Sequence, residues 1–113
     1  MKLRKADIVF SKWIRNRDKW RCQRCGHQHE ENSRGLHCSH YWGRGRESSR
    51  FSPENCDALC FPCHRFWGHG DGRDFYKEFM IKKLGLKGFN NLKKFAQITQ
   101  KKNDKLIIEK YGG

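Results

Sequence analysis

Two Cys-x-x-Cys knuckles, Cys22-Gln23-Arg24-Cys25 and Cys60-Phe61-Pro62-Cys63, bracket the middle of this chain. Four thiolates offered in two close pairs are the donor set of a closed, tetrahedral zinc site, and such a site pins two distant segments together whatever else the chain does. Disulfides are the competing use of six cysteines, but the paired spacing is that of metal ligands and a reducing compartment keeps thiols free. A staple is also needed. With 113 residues, 35% of them hydrophobic, there is little apolar area to bury. Zinc supplies roughly 10–16 kcal/mol to the folding of small modules that have no site when unfolded.

The remaining pattern arranges itself around the knuckles. Leu3 to Trp20 reads as a helix, with Asp7 as its cap and Phe10, Trp13, Ile14 and Arg17 on one face. Residues 21–34 are polar and hold the first knuckle, with Gly26 permitting the tight turn behind it. Leu36 to Trp42 alternates like a strand, and the cationic segment 43–50 reads as a loop. After a turn over 51–55, Cys56 to Leu59 reads as a second strand, and the second knuckle opens a helix with His64 in its first turn. Beyond the glycine-rich break at 68–72, Asp74 is expected to cap a helix from Phe75 to about Leu84 that Gly85 ends. Helices over Phe89–Gln100 and Asp104–Tyr111 follow, with Gly112 and Gly113 frayed. The expectation is one α+β domain over 1–113: an N-terminal helix (1–20), a zinc-stapled core of two strands and a helix (21–70), and a helical tail (71–113).

Charge indicates the partner. Twenty-five Lys and Arg against 12 Asp and Glu leave a net +13, so a polyanion is expected, and DNA fits better than a membrane. No apolar run approaches the ~20 residues that span a bilayer. A cytoplasmic location is expected.

Hydrolysis of a DNA phosphodiester requires a cation, a base for water and a rigid frame. His40, at the end of the first strand, is the candidate general base. His64 follows the zinc ligand Cys63 directly, so the staple aims it, and it is the candidate ligand of a second, catalytic metal. Asn55 does not titrate, and its catalytic contribution would be to orient the site by holding the loop. Arg44, Arg46 and Arg50 are the candidate DNA contacts, placed to grip phosphates beside the cut. Cys38 and Cys56 read as small core residues. His27, His29 and His69 read as surface histidines or DNA contacts, and Trp42 and Trp67 as core more readily than as stacking platforms.

The order knuckle, His40, Asn55, Cys-x-x-Cys, His64 resembles the HNH, or ββα-metal (His-Me finger), endonucleases in their four-cysteine zinc version. That resemblance implies a ββα-metal, treble-clef-like module. Residues 7–18, Ser39-His40-Tyr41, Arg50-Phe51, Asn55 and the tail from Tyr76 to Gly85 are further similar to the NinG (Rap) recombination nucleases of lambdoid phages. For that branch the implied substrate is branched or recombination-intermediate DNA, and a symmetric cut at a junction would imply a homodimer.

One departure bears on the metal. The common HNH pattern has an acidic ligand just before the basic histidine, where Ser39 stands here, and Gly68 occupies the place of a second helix imidazole in some relatives. His37, two residues before Ser39 and so on the same strand face, is the preferred second ligand of the catalytic metal, with Ser39 a weaker one. Imidazole donors suit Mn2+, Ni2+ or Zn2+ better than Mg2+, which would need the substrate phosphate to complete its shell. The competing expectation is a zinc-knuckle nucleic-acid-binding protein without catalysis.

Overall fold

A two-stranded antiparallel hairpin runs between two apolar clusters, and helices cover both of its faces. The computed structural model describes residues 3–112; the expectations for residues 1, 2 and 113 lie outside the described residues. Strand β1 (Leu36–His40) pairs with β2 (Cys56–Cys60), from Leu36 opposite Cys60 to His40 opposite Cys56. Alternation puts Cys38, His40 and Cys56 on one face and His37, Ser39, Asp57 and Leu59 on the other. An isolated hairpin is marginal in water, so its stability comes from what packs on those faces.

On the first face, Cys38 and Cys56 are buried with Phe51 and with Ala6, Phe10 and Ile14 of α1 (Lys5–Arg17). On the second, Leu59 joins Trp67 of α3 (Phe61–Gly68) and Tyr76 and Met80 of α4 (Gly72–Ala96). Trp67 stacks on Tyr76 with ring centroids 4.5 Å apart. The Tyr76 hydroxyl meets Ser39 Oγ at 3.0 Å and Asp57, itself paired with Lys83, at 3.4 Å. The last helix, α5 (Asp104–Gly112), returns to α1 and sets Tyr111 edge-on to Phe10 and Trp13 at 4.9 and 5.0 Å.

Several boundaries differ from the sequence reading. Helix α1 stops at Arg17 instead of reaching Trp20, because Lys19 and Trp20 turn back with φ of 56° and 58°. That costly backbone is held by the Trp20 indole, which donates to Asn16 Oδ1 at 2.7 Å and is buried in the cluster opposite the one α1 packs into. Asp7 is the third helical residue, not the cap; its carboxylate reaches back to the Arg4 amide at 2.7 Å. The loop over 43–50 contains a short helix, α2 (Glu47–Arg50), followed by a 3-10 turn at Pro53–Asn55. Helix α4 starts at Gly72, so Asp74 lies inside it, and it ends at Ala96; the expected break at Gly85 is present, with φ +76°. Gly112 is the last helical residue of α5 and not a frayed end.

Buried charge ties α1 to α2. Arg50 donates to both Asp7 oxygens, at 2.8 and 2.6 Å, and both side chains are at most 5% exposed. Burial works to raise the Asp7 pKa, but the hydrogen bonds from Arg50 and the Arg4 amide outweigh it and hold the carboxyl below its ordinary range. Removing one partner of such a pair strands the other without compensation. Asp7→Asn is expected to cost about 3–5 kcal/mol, read as a lower urea midpoint with zinc content unchanged; an unaltered midpoint would show that the pair contributes nothing.

Candidate functional site

The knuckles come together because the segment after α1 runs along the outer edge of β2. Asp18 Oδ2 accepts the Ala58 amide at 2.8 Å, and the Gln23 amide donates to the Ala58 carbonyl at 2.9 Å. Gly26, at φ +77°, lets its amide close on the Cys22 carbonyl at 2.9 Å and turns the first knuckle back on itself. The second knuckle needs no such turn, since Cys60 ends β2 and Cys63 lies in the first turn of α3. The four sulfurs of Cys22, Cys25, Cys60 and Cys63 all lie within 4.8 Å of one another, and Cys25 and Cys60 are 3.7 Å apart. Thiolates bound to one zinc at about 2.3 Å stand about 3.8 Å apart, so these residues fit zinc. The Arg24 guanidinium, 3.4 Å from Cys63 Sγ, offsets part of the negative charge such a cluster would carry.

The same clamp aims α3 at β1. His64 Nδ1 lies 3.2 Å from His37 Nδ1, across the side of the hairpin away from α1. Two imidazole nitrogens held by one cation at about 2.0–2.1 Å stand about 3.0–3.4 Å apart, so the pair fits two corners of a metal site. Among the described residues, no third histidine, cysteine or carboxylate completes a cluster with these two. Ser39 does not join them: it is 1% exposed and engaged with Tyr76, which leaves His37 alone in the place the strand offers.

His40 sits on the opposite strand face, yet the three histidines line one groove of about 370 Å³, whose wall also carries Arg15, Arg34 and Arg44. His40 Nε2 is 3.0 Å from the Arg50 carbonyl. A carbonyl only accepts, so Nε2 holds the proton and Nδ1 keeps its lone pair. Burial, with Arg44 second, pushes the His40 pKa down to about 4 from 6.5. The depressed value fixes the sign of a stability effect. Above pH 6.5 the folded and unfolded chains both hold a neutral ring; as the pH falls toward 4 only the unfolded chain takes up the proton, and folding loses on the order of 3 kcal/mol. Denaturant melts of wild type and His40→Gln at pH 7 and near 4.5 should therefore diverge, the variant losing less; parallel losses would contradict the shift.

Asn55 is fully buried at the base of the loop. Its Nδ2 donates to the carbonyls of Trp42 and Ser49 at 2.9 and 3.1 Å, and its Oδ1 accepts the Trp42 amide at 2.8 Å. It fastens both ends of the segment that carries Arg44 and Arg46 and touches no groove histidine through these bonds.

The three candidate phosphate contacts separate. Arg44 lines the groove, and Arg46 is exposed with its guanidinium 5.2 Å over the Trp42 ring. Arg50 is a correction: it is turned inward onto Asp7, and what it offers His40 directly is its carbonyl. Sequence reading missed Arg15 and Arg34. Arg15 was open to detection, since it follows Ile8 and Ser11 on one helix stripe, and all three line the groove. Arg34 has no comparable signal.

Of the remaining candidates, Cys38 and Cys56 are buried in the core, where burial pushes the Cys56 thiol well up. His27 and His69 are exposed and His29 is partly so, Trp67 is core, and Trp42 is half-buried. No helix among the described residues is long and apolar enough to cross a membrane.

Neither the curated proteins nor the solved structures contain a match to this chain. A protein-family model does: the one described as "Bacteriophage Lambda NinG protein" matches residues 3–112. Because that match runs along nearly the whole chain, and through both knuckles and all three groove histidines, the protein belongs to the bacteriophage lambda NinG family.

Proposed function

We propose that this protein is a metal-dependent DNA endonuclease of the HNH, ββα-metal kind, serving phage recombination by cutting branched or otherwise structured DNA. The observation that carries the reading is an imidazole whose Nε2 is bound to a backbone carbonyl, sharing one groove with a pair of imidazoles and three arginines. Hairpin plus α3, stapled by four cysteines, is the frame such a site requires.

His40 acts through Nδ1, taking a proton from water as the oxygen attacks phosphorus, while Nε2 stays bound to the Arg50 carbonyl. As the ring becomes imidazolium, that carbonyl stabilises it and keeps it from rotating. Arg15, Arg34 and Arg44 attract the phosphate backbone and place it over His40. Asn55 keeps the Arg44 loop and the Arg50 carbonyl in register. His37 and His64 would hold the divalent cation, which when bound supplies positive charge for the scissile phosphate and the departing 3′ oxygen. With two nitrogens and no carboxylate, Mn2+ or Ni2+ suits them better than Mg2+.

A second reading, a zinc-knuckle nucleic-acid binder without turnover, draws on the same missing carboxylate. Purified protein offered supercoiled plasmid and four-way, flap and D-loop DNAs with Mg2+, Mn2+ or Ni2+ separates the two. Cleavage that depends on the metal supports the nuclease. Intact DNA under every metal, with salt-sensitive binding and a single tightly held zinc, supports the binder.

A further inference from the structure

Three phenylalanines on one side of the molecule are left in solvent. Phe61, Phe66 and Phe75 are 55%, 41% and 54% exposed, although each lies on or against the buried frame of α3 and α4. Single exposed apolar residues are ordinary; rings that adjoin one another and an apparent site are not. Phe66 and Phe75 lie nearly parallel, 26° apart with centroids at 6.0 Å. Phe61 stands edge-on to His37 at 5.8 Å. Two shallow concavities share Phe61, Arg65 and His69: one also includes His37 and His64, the other extends to Phe66. A third continues from Phe66 to Phe75 and Lys82. The rings thus form a track that leads from the imidazole pair across α3 to the start of α4.

Its charge is complementary to one class of partner. Arg24 lies 4.4 Å over the Phe66 ring, Arg65 is exposed between Phe61 and Phe66, and Lys82 is exposed at the far end. Solvent-exposed aromatic rings interleaved with cations are the recognition surface for unpaired bases, whose π-faces stack while their phosphates meet the positive groups. A duplex, with its bases already stacked, offers the rings nothing.

We infer that Phe61, Phe66 and Phe75 form a subsite for an unpaired DNA strand on one side of the scissile phosphate, so that the favoured substrate has single-stranded nucleotides next to the cut. The inference deepens the nuclease reading and rests on it for the word "scissile", but binding can be measured without turnover. The test uses the full chain with its zinc and no added divalent metal. The probes are a short oligothymidylate, an abasic oligomer of the same phosphate count and a duplex, each followed by fluorescence polarisation. Wild type should prefer the thymidylate to the abasic oligomer. Phe66→Ala/Phe75→Ala, which removes two stacks, should bind the thymidylate at least about 30-fold more weakly and bind the abasic oligomer and duplex as wild type does. Phe66→Tyr, which keeps the ring, should restore most of the preference in a Phe75 background. Equal binding of thymidylate and abasic oligomer, or an unaffected double variant, would overturn the subsite. So would a wild-type dimer that the double variant converts to monomer in sedimentation, since the rings would then meet a second copy of the chain. Preserved stacking in a protein that cuts no DNA under any metal would fail the nuclease reading alone.

Discussion

Replacing Cys60 with serine is expected to leave the chain without zinc and without its fold. Serine is a poor zinc ligand, and Cys60 is the residue where β2 passes into α3. Losing a site of this kind withdraws a large part of roughly 10–16 kcal/mol, whereas whole domains are stable by only about 5–15 kcal/mol. The remaining interactions do not compensate: the sheet has two strands, and it lies between two separate apolar clusters. The measurement is zinc per chain by atomic emission together with far-ultraviolet circular dichroism, under reducing conditions. Cys38→Ser is the comparison. Cys38 lies outside the four-sulfur cluster, so it should keep its zinc and show only the smaller loss of a buried apolar contact. A folded Cys60→Ser protein with no zinc would mean that the cysteines are not the staple.

The second large effect is on turnover. His40→Ala is expected to lower metal-dependent cleavage by about 10²–10⁴-fold, the usual contribution of a positioned general base, with little change in DNA affinity. Affinity should persist because Arg15, Arg34 and Arg44 stay in place and phosphate contacts dominate binding. His40 is partly buried against Phe10, so His40→Gln, which fills more of the space, and zinc content together serve as folding controls. With its pKa near 4, His40 keeps its base form well below pH 6, and the acidic limb of the wild-type rate should lie lower than an ordinary histidine would place it. Wild-type rates from His40→Ala would remove this residue from the mechanism. A large loss of DNA binding in the same variant would recast it as a structural residue.

Much of the frame was legible in the residues because its signals are local. Cys-x-x-Cys followed by glycine, alternation around His37 and His40, and Gly85 after a helical stripe each depend on neighbours a few positions away. The errors fell where a residue answers to a distant partner. Trp20 continues the α1 pattern, yet its ring is needed in the opposite cluster, so the helix ends early and the backbone enters a left-handed turn. Arg50 reads as one more cation in a basic loop, but a carboxylate 43 residues away takes it inside.

The sequence by itself determined that two knuckles close on one zinc-like site, that a strand pair and a helix start lie between and after them, and that the surface is strongly cationic. Residue type and short spacing decide ligand chemistry and charge, so no knowledge of packing was required. Tertiary structure alone decided that His37 and His64, offered by the sequence as ligands of one metal, stand with their Nδ1 atoms 3.2 Å apart, that His40 gives Nε2 to the Arg50 carbonyl, and that of the loop arginines Arg44 faces the groove while Arg50 supports it from behind. Those outcomes depend on which elements pack together: a buried charge or imidazole takes whatever partner the packing offers, and only the folded chain brings residues so far apart in sequence within hydrogen-bonding distance.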